Sequence, residues 1–405
     1  MYLLRTYNDR VYVRVIQAFS NYIKCFVKIS MTSPYQRVES ERKVERKTVN
    51  AMAPLRIDWS GGPTDVKSLY EQQPGTVTSG AIDYWALVTI SALSTSTPQV
   101  SIVSHNFNQN VEFPLKALPE LSLTNPLALI KAILQTRELP CGIKVVTHVD
   151  APLGSGLGSS AALAVALLIA LDKFIAQPEE GLSGVSQLLC SQELQNFASQ
   201  AVQIENKALG NVGGFQDQFM AAFGGFYTFY ADKKGIAAEP LMLSPATVKH
   251  LENNSLLIYT GSGHVSGDIL NEVLHNSVNG DLETTSALQQ LRESAQDIRD
   301  CLKFEALGEF PKLIRQAYEC QRRLHPAVIP ESIQATIEEL ISMGALAGKL
   351  LGAGGGGMIY LYCPAEIQPI IKQYIKPQYS YLPVRFTEKG ASYEFVSPKA
   401  SVTIC

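Results

Sequence analysis

The 405-residue sequence lacks several features that would make its function easy to guess. Its seven cysteines, Cys25, Cys141, Cys190, Cys301, Cys320, Cys363 and Cys405, form no C-x-x-C pair and no metal-type cluster, so reduced thiols are expected. No apolar run reaches membrane-spanning length: the run that begins at Ala161 is broken by Asp172 and Lys173, so a core helix is expected there and no membrane partner. The net charge is only −3, with no electrostatic reason to expect nucleic acid. No internal repeat is visible. Two common phosphate-binding fingerprints are also missing, because no Gly-Lys-Ser/Thr ending and no G-x-G-x-x-G occurs where a glycine loop meets a helix.

What is present is that glycine loop. Gly142 to Val149 reads as a strand rich in β-branched residues, and Ala161 to Leu171 as an apolar helix without a breaker. Between them lies Pro152-Leu153-Gly154-Ser155-Gly156-Leu157-Gly158-Ser159-Ser160. Glycines permit positive φ and close backbone approach, and the first N–H groups of a helix are unpaired and carry the positive end of its dipole. A phosphate is the expected occupant, with Ser155, Ser159 and Ser160 able to cap the helix, donate to phosphate oxygens or bind a hard cation.

The length suggests two domains. Residues 1–50 carry a formal +6 while the remainder carries −9, and are read as an appended or upstream segment, with a presequence or a true start at Met31 as alternatives. Within them Val11 to Val15 and Cys25 to Ile29 look strand-like. Residues 51–250 form the first domain and 251–405 the second. Val77 to Leu93 and Val100 to Val103 read as strands and Asn125 to Thr136 as a helix. A further helix from Ser191 to Leu209 stops at Gly210 and puts Glu205 in its last turns, an unfavourable place for an anion unless a cation is near. In the second domain Ser255 to Thr260 reads as a strand, and Thr284 to Ala306, Pro311 to Leu324 and Glu331 to Met343 as helices.

Three segments together resemble the signature motifs of the GHMP kinases, the family of galacto-, homoserine, mevalonate and phosphomevalonate kinases. Ala53 to Asp65 (APLRIDWSGGPTD) is similar to the first motif, the glycine loop to the second, and Gly352-Ala353-Gly354-Gly355-Gly356-Gly357 to the third. The stretch from Glu205 through Gly213-Gly214-Phe215-Gln216-Asp217-Gln218 resembles the family segment that supplies a metal-binding glutamate and a catalytic aspartate, in the form of its heptose kinase branch, while the first motif is most like that of the fucokinases and heptose 7-phosphate kinases.

The resemblance implies an α+β fold, with an N-terminal α/β domain of the ribosomal protein S5 domain 2-like type and a C-terminal ferredoxin-like α+β domain. It implies transfer of a phosphoryl group from ATP, with Mg2+, to a hydroxyl of a sugar or sugar phosphate, at the anomeric position and preferably of a heptose 7-phosphate. A fucokinase-like or other sugar kinase and a catalytically silent sugar sensor are the alternatives. Pro152, Gly154, Ser155, Gly156, Leu157, Gly158, Ser159 and Ser160 would bind the nucleotide, and Ser160 and Glu205 the metal. Asp217 would orient or deprotonate the hydroxyl. Arg56 would keep Asp217 ionised and neutralise charge on the transferring group. Asp65, Gly61, Gly62, Thr64, Gly354, Gly355 and Gly356 would contact the sugar. A cytoplasmic protein and a possible homodimer complete the expectation.

Overall fold

The computed structural model describes residues 48–396 apart from Asn125, Leu153, residues 177–185, Asn211 and residues 262–265 and 376–378. The chain divides into two compact units, Met1–Glu45 and Arg46–Cys405. The first lies outside the described residues, as do the strands expected at Val11 to Val15 and Cys25 to Ile29.

The second unit begins with β1 (Thr48–Ser60), which starts inside the segment read as an extension. A short helix α1 (Lys67–Tyr70) leads to the long β2 (Gly75–Ala92), followed by β3 (Gln99–Ser104), β4 (Gln109–Pro114) and α2 (Ala128–Leu134). Then come β5 (Ile143–Val149), α3 (Ser159–Ile175), the two-residue β6 (Gln187–Leu188), α4 (Ser191–Gln203) and α5 (Gln216–Phe223). Strands β7 (Phe226–Asp232) and β8 (Gly235–Pro240), helix α6 (Pro245–Asn253) and β9 (Ser255–Tyr259) follow. The rest comprises α7 (Ser266–Val278), α8 (Leu282–Lys303), α9 (Phe310–Leu324), α10 (Glu331–Ser342), β10 (Ala347–Leu350), β11 (Met358–Tyr362), α11 (Gln368–Tyr374), β12 (Ser380–Pro383) and β13 (Ser392–Val396).

A nine-stranded sheet runs β4-β3-β5-β2-β1-β13-β6, with β7 and β8 branching from the first half of β2. Among the described residues only β3 and β5 pair in parallel. Pro54 is accommodated within β1 because the β1–β2 register shifts between Pro54 and Leu55, where a missing donor is tolerated. The helix α3 is apolar all round, with Ala161 through Leu171 all buried, so it lies inside the core against β1, β2, α4 and α5 instead of at the surface. Each such leucine contributes about 1.5–3 kcal/mol by leaving water.

The second sheet, β10-β11-β9-β12, is antiparallel throughout and is covered by helices, the α+β arrangement expected of the C-terminal half. The two halves interlock. The C-terminal strand β13 returns to pair with β1, registering Thr48 with Val396. Helix α8, whose N-terminus is capped by the Thr284 N–H donating to Asp281 at 2.8 Å, lies on β1 and β2. There Thr78 donates to the Ala295 carbonyl at 2.8 Å, Ser60 donates to that of Leu291, and the Trp59 ring meets Phe310 edge to face. The crevice left between the halves holds the cavity described next. Among the described residues no helix is long and apolar enough to cross a membrane.

Candidate active site

The glycine loop takes the conformation its composition demands. Gly154, Gly156 and Gly158 have φ of +69°, +76° and +74°, and Gly158 is the N-cap of α3. A Cβ on Gly156 would stand 2.3 Å from the Leu351 carbonyl oxygen, and one on Gly158 would stand 3.3 Å from Arg56 Cγ and 3.4 Å from Asp217 Cγ. Glycine is therefore what lets the loop touch the third glycine segment on one side and a charged pair on the other. The loop opens on a cavity of about 610 Å3 lined by Gly154, Gly156, Gly158, Ser159 and Ser160. The unpaired N–H groups at the start of a helix make that rim suited to an anion. Ser155 and Leu157 are fully buried and line no part of the cavity. Leu157 instead receives the Arg56 N–H at 3.0 Å and Ser155 the Met358 N–H at 2.8 Å, which ties the loop to β1 and to β11.

Arg56, on β1, and Asp217, in the first turn of α5, form a two-pronged pair: Nε donates to Oδ1 and Nη2 to Oδ2, both at 2.7 Å. Nη1 also donates to the Gly156 carbonyl. Both line the cavity, Arg56 at 4% exposed and Asp217 at 29%, so the carboxylate is the more open partner. Burial works against the guanidinium charge, but Asp217 and Asp58 outweigh it and hold the pKa of Arg56 above its ordinary value. Charge-assisted, bidentate pairing of this kind fixes orientation as well as charge.

Two neighbours, Asp58 and Lys349, were not singled out in the sequence. Asp58, two residues beyond Arg56, lines the cavity and faces the buried Lys349 of β10, whose Nζ donates to the Asp58 carbonyl at 2.8 Å and lies 3.5 Å from Oδ2. Asp65 is buried and accepts the Gln216 N–H at 3.0 Å, which fastens the turn after β1 to the start of α5. Burial, with Asp217 and Asp58 nearby, raises its pKa to about 7, against the lowering pull of the Gln216 N–H.

The helix expected from Ser191 to Leu209 is α-helical only to Gln203 and then widens into a π-turn over Ile204–Ala208. Such turns often mark functional positions. This one carries Glu205, which accepts from Gln218 Nε2 and from the Ser160 hydroxyl. Desolvation lifts its pKa despite both hydrogen bonds. A carboxylate and a hydroxyl, both hard oxygen donors, beside an anion-binding helix start suit Mg2+, which commonly uses one or two carboxylates and completes its shell with phosphate oxygens and water. Among the described residues lining the cavity, the ionisable side chains are Arg56 against Asp58, Asp65, Glu205 and Asp217.

Comparison with known proteins matches two segments of the sequence to family models. The family model described as the GHMP kinases N terminal domain matches residues 126–225, and that described as GHMP kinases C terminal matches residues 291–378. The chain carries both domains of the GHMP kinases. It is similar to the D-glycero-alpha-D-manno-heptose 7-phosphate kinase of Campylobacter jejuni, with 26% identity over 85% of this chain and 98% of that protein. It is also similar to the bifunctional fucokinase/GDP-fucose pyrophosphorylase of Arabidopsis thaliana, at 25% identity over 78% of this chain but only 30% of that longer protein. A crystal structure of a D-glycero-D-manno-heptose 1-phosphate kinase from Bacteroides thetaiotaomicron superposes with a TM-score of 0.66, at 24% identity, over 85% of this chain and 98% of that one, a likeness of fold.

With those two domains the chain is a phosphotransferase whose acceptor is an alcohol, and its motif residues divide between the cavity and its supports. Gly62 and Asp65 line the cavity, whereas Thr64 does not: it is fully buried, donating to the Thr76 carbonyl at 3.1 Å and accepting the Thr76 N–H at 3.2 Å. Gly61 has φ of +110° and a Cβ there would meet the Thr76 carbonyl oxygen at 2.1 Å, so it serves the turn itself. In the third segment Gly352 and Ala353 line the cavity, while Gly354, Gly355 and Gly356 do not. Gly354 packs against Val328, and Gly357 against the Ser155 and Gly154 carbonyls. Pro152 accepts the Ser155 N–H at 3.2 Å, closing the loop's first turn outside the cavity.

Proposed function

We propose that this GHMP kinase transfers the terminal phosphoryl group of ATP, with Mg2+, to the anomeric hydroxyl of a sugar, with a heptose 7-phosphate as first choice and fucose as second. The observation that carries the reading is the Asp217 carboxylate, clamped by Arg56 and set beside Gly158 where the anion-binding loop enters α3. Phosphoryl transfer needs positioning and charge compensation more than covalent help from the protein. Gly154 to Ser160 would cradle the phosphates with backbone N–H groups. Asp217 would accept the acceptor's hydroxyl proton as that oxygen bonds to phosphorus and the bond to the ADP oxygen breaks. Arg56 would hold Asp217 in place and face the developing charge. Glu205 and Ser160 would hold Mg2+, which supplies charge neutralisation on the phosphate oxygens when bound.

The sugar part of the reading is supported by the relatives named above, one a heptose 7-phosphate kinase over its whole length and one a bifunctional fucokinase. It is also supported by Asp58 and Asp65, two carboxylates on the cavity wall that can accept from several hydroxyls of one ligand. An assay of ADP release over free and phosphorylated hexoses and heptoses tests the proposal. Sugar-dependent release with loss of the sugar's reducing end in the product is the expected result. No release with any sugar, or a product that keeps its reducing end, would overturn it.

A further inference from the structure

Helix α9 is strongly amphipathic, and its buried positions Phe310, Ile314, Ala317, Gln321 and Leu324 follow the helical repeat. Gln321 is the polar residue on that apolar stripe and is 6% exposed. Its Nε2 donates to the Leu350 carbonyl at 3.1 Å. A carbonyl can only accept, so this contact fixes which end of the amide is which. The other end, Oε1, is buried and has no hydrogen-bond partner. Leaving such an acceptor unsatisfied is unfavourable, and a leucine in its place would have filled the stripe without that penalty.

Gln321 also lines the cavity, beside Leu324, Val328, Leu270 and Val273 from the C-terminal half. Its anchoring carbonyl, Leu350, precedes Leu351, whose own carbonyl lies against Gly156 of the phosphate loop. The residue is thus both tied to the strand end that meets the loop and part of the lining of the same cavity as the Asp58 and Asp65 carboxylates of the N-terminal half. We infer that Gln321 is a specificity-determining residue whose Oε1 accepts a hydrogen bond from one hydroxyl of the acceptor sugar, a hydroxyl other than the one phosphorylated. The inference rests on the sugar-kinase reading and adds to it a residue from the second domain that reads the substrate. A site built to pair with a hydroxyl rejects the analogue that lacks it far more strongly than an apolar wall does.

The test takes the full chain and the best sugar found in the ADP-release panel, with its monodeoxy analogues, and compares kcat/KM for wild type, Gln321→Met and Gln321→Asn. Methionine nearly conserves volume, and asparagine keeps the amide but withdraws the oxygen by one methylene. In the wild type one deoxy analogue, modified away from the reacting carbon, should lose about 10- to 100-fold. Both variants should reduce that one loss to about twofold while the losses for the other deoxy analogues and the KM for ATP stay unchanged. Thermal unfolding of both variants reports folding, and either folded variant decides the question. A folded variant that keeps every deoxy loss at its wild-type value overturns the inference and assigns the oxygen to a water, leaving the kinase reading intact. Absence of ADP release with every sugar would remove the kinase reading and this inference with it.

Discussion

Lys349 Nζ lies 2.8 Å from the carbonyl oxygen of Asp58 and 3.5 Å from its carboxylate, linking β10 of one half to β1 of the other. Both side chains are buried, and Asp58 is among the charges acting on Arg56. By engaging Asp58, the lysine leaves Arg56 to its bidentate pairing with Asp217. Burial lowers the pKa of Lys349 despite the pull of Asp58, so this is a charge held at a cost.

Lys349→Met leaves a buried carboxylate uncompensated, and stability should fall by about 3–5 kcal/mol. Asp58→Asn in the same chain should recover most of that loss, because the uncompensated charge is gone. Denaturant unfolding of wild type, both single variants and the double variant measures the coupling. Losses that simply add would mean the two groups do not interact.

Asp65→Asn should raise the sugar KM and leave nucleotide affinity nearly intact, since Asp65 lies on the turn after β1 and not on the phosphate loop. It also carries a pH signature. The folded pKa of Asp65, about 7, stands above its unfolded value, so the folded state binds the extra proton and wild-type stability declines as pH rises between the two values. Asparagine cannot ionise. The Tm of the variant minus that of wild type should therefore increase from pH 5 to pH 8 without ligands, and a flat difference would contradict the assignment.

Glu205→Gln and Ser160→Ala should each weaken divalent-cation binding. Mn2+ titration followed by electron paramagnetic resonance, with a non-hydrolysable ATP analogue present throughout, measures it without turnover. Because desolvation raises the pKa of Glu205, wild-type binding should strengthen with pH as the carboxylate loses its proton, and the Gln variant should lose that part of the pH dependence. Unchanged Mn2+ affinity in both variants would remove these residues as ligands.

How much of this was legible beforehand depends on how local the cause is. The loop from Gly154 to Ser160 was readable because positive φ at three glycines and a following apolar helix are decided within a dozen residues. Helices α3, α4, α8, α9 and α10 and strands β2, β3, β5 and β9 followed from composition and periodicity, with ends off by a few residues, whereas β4, β7, β8, β12 and β13 and the pairing of the strands were not read. Lys349 and Gln321 were not readable. A lysine in a short strand and a glutamine near the end of a helix look solvated, and their burial follows from a contact with Asp58 nearly three hundred residues away and from packing under β10. The π-turn at Glu205 likewise has no sequence mark that separates it from an ordinary helix end. In the other direction, Thr64 looked like a ligand contact because it sits in a signature, yet its hydroxyl is consumed by the Thr76 backbone. Gly354 to Gly356 lie next to the cavity-lining pair Gly352 and Ala353, a distinction of two residues that a run of glycines conceals.

The central claim is that Asp217 takes the acceptor's proton, and Asp217→Asn measures it most directly. The amide keeps the shape and can still accept from Arg56 at its oxygen, but it no longer serves as a base. Single-turnover phosphoryl transfer, measured alongside dissociation constants for nucleotide and sugar, should slow by about 10²–10⁴-fold while both constants change only a few-fold. Wild-type transfer rates in a folded Asp217→Asn chain would contradict the account.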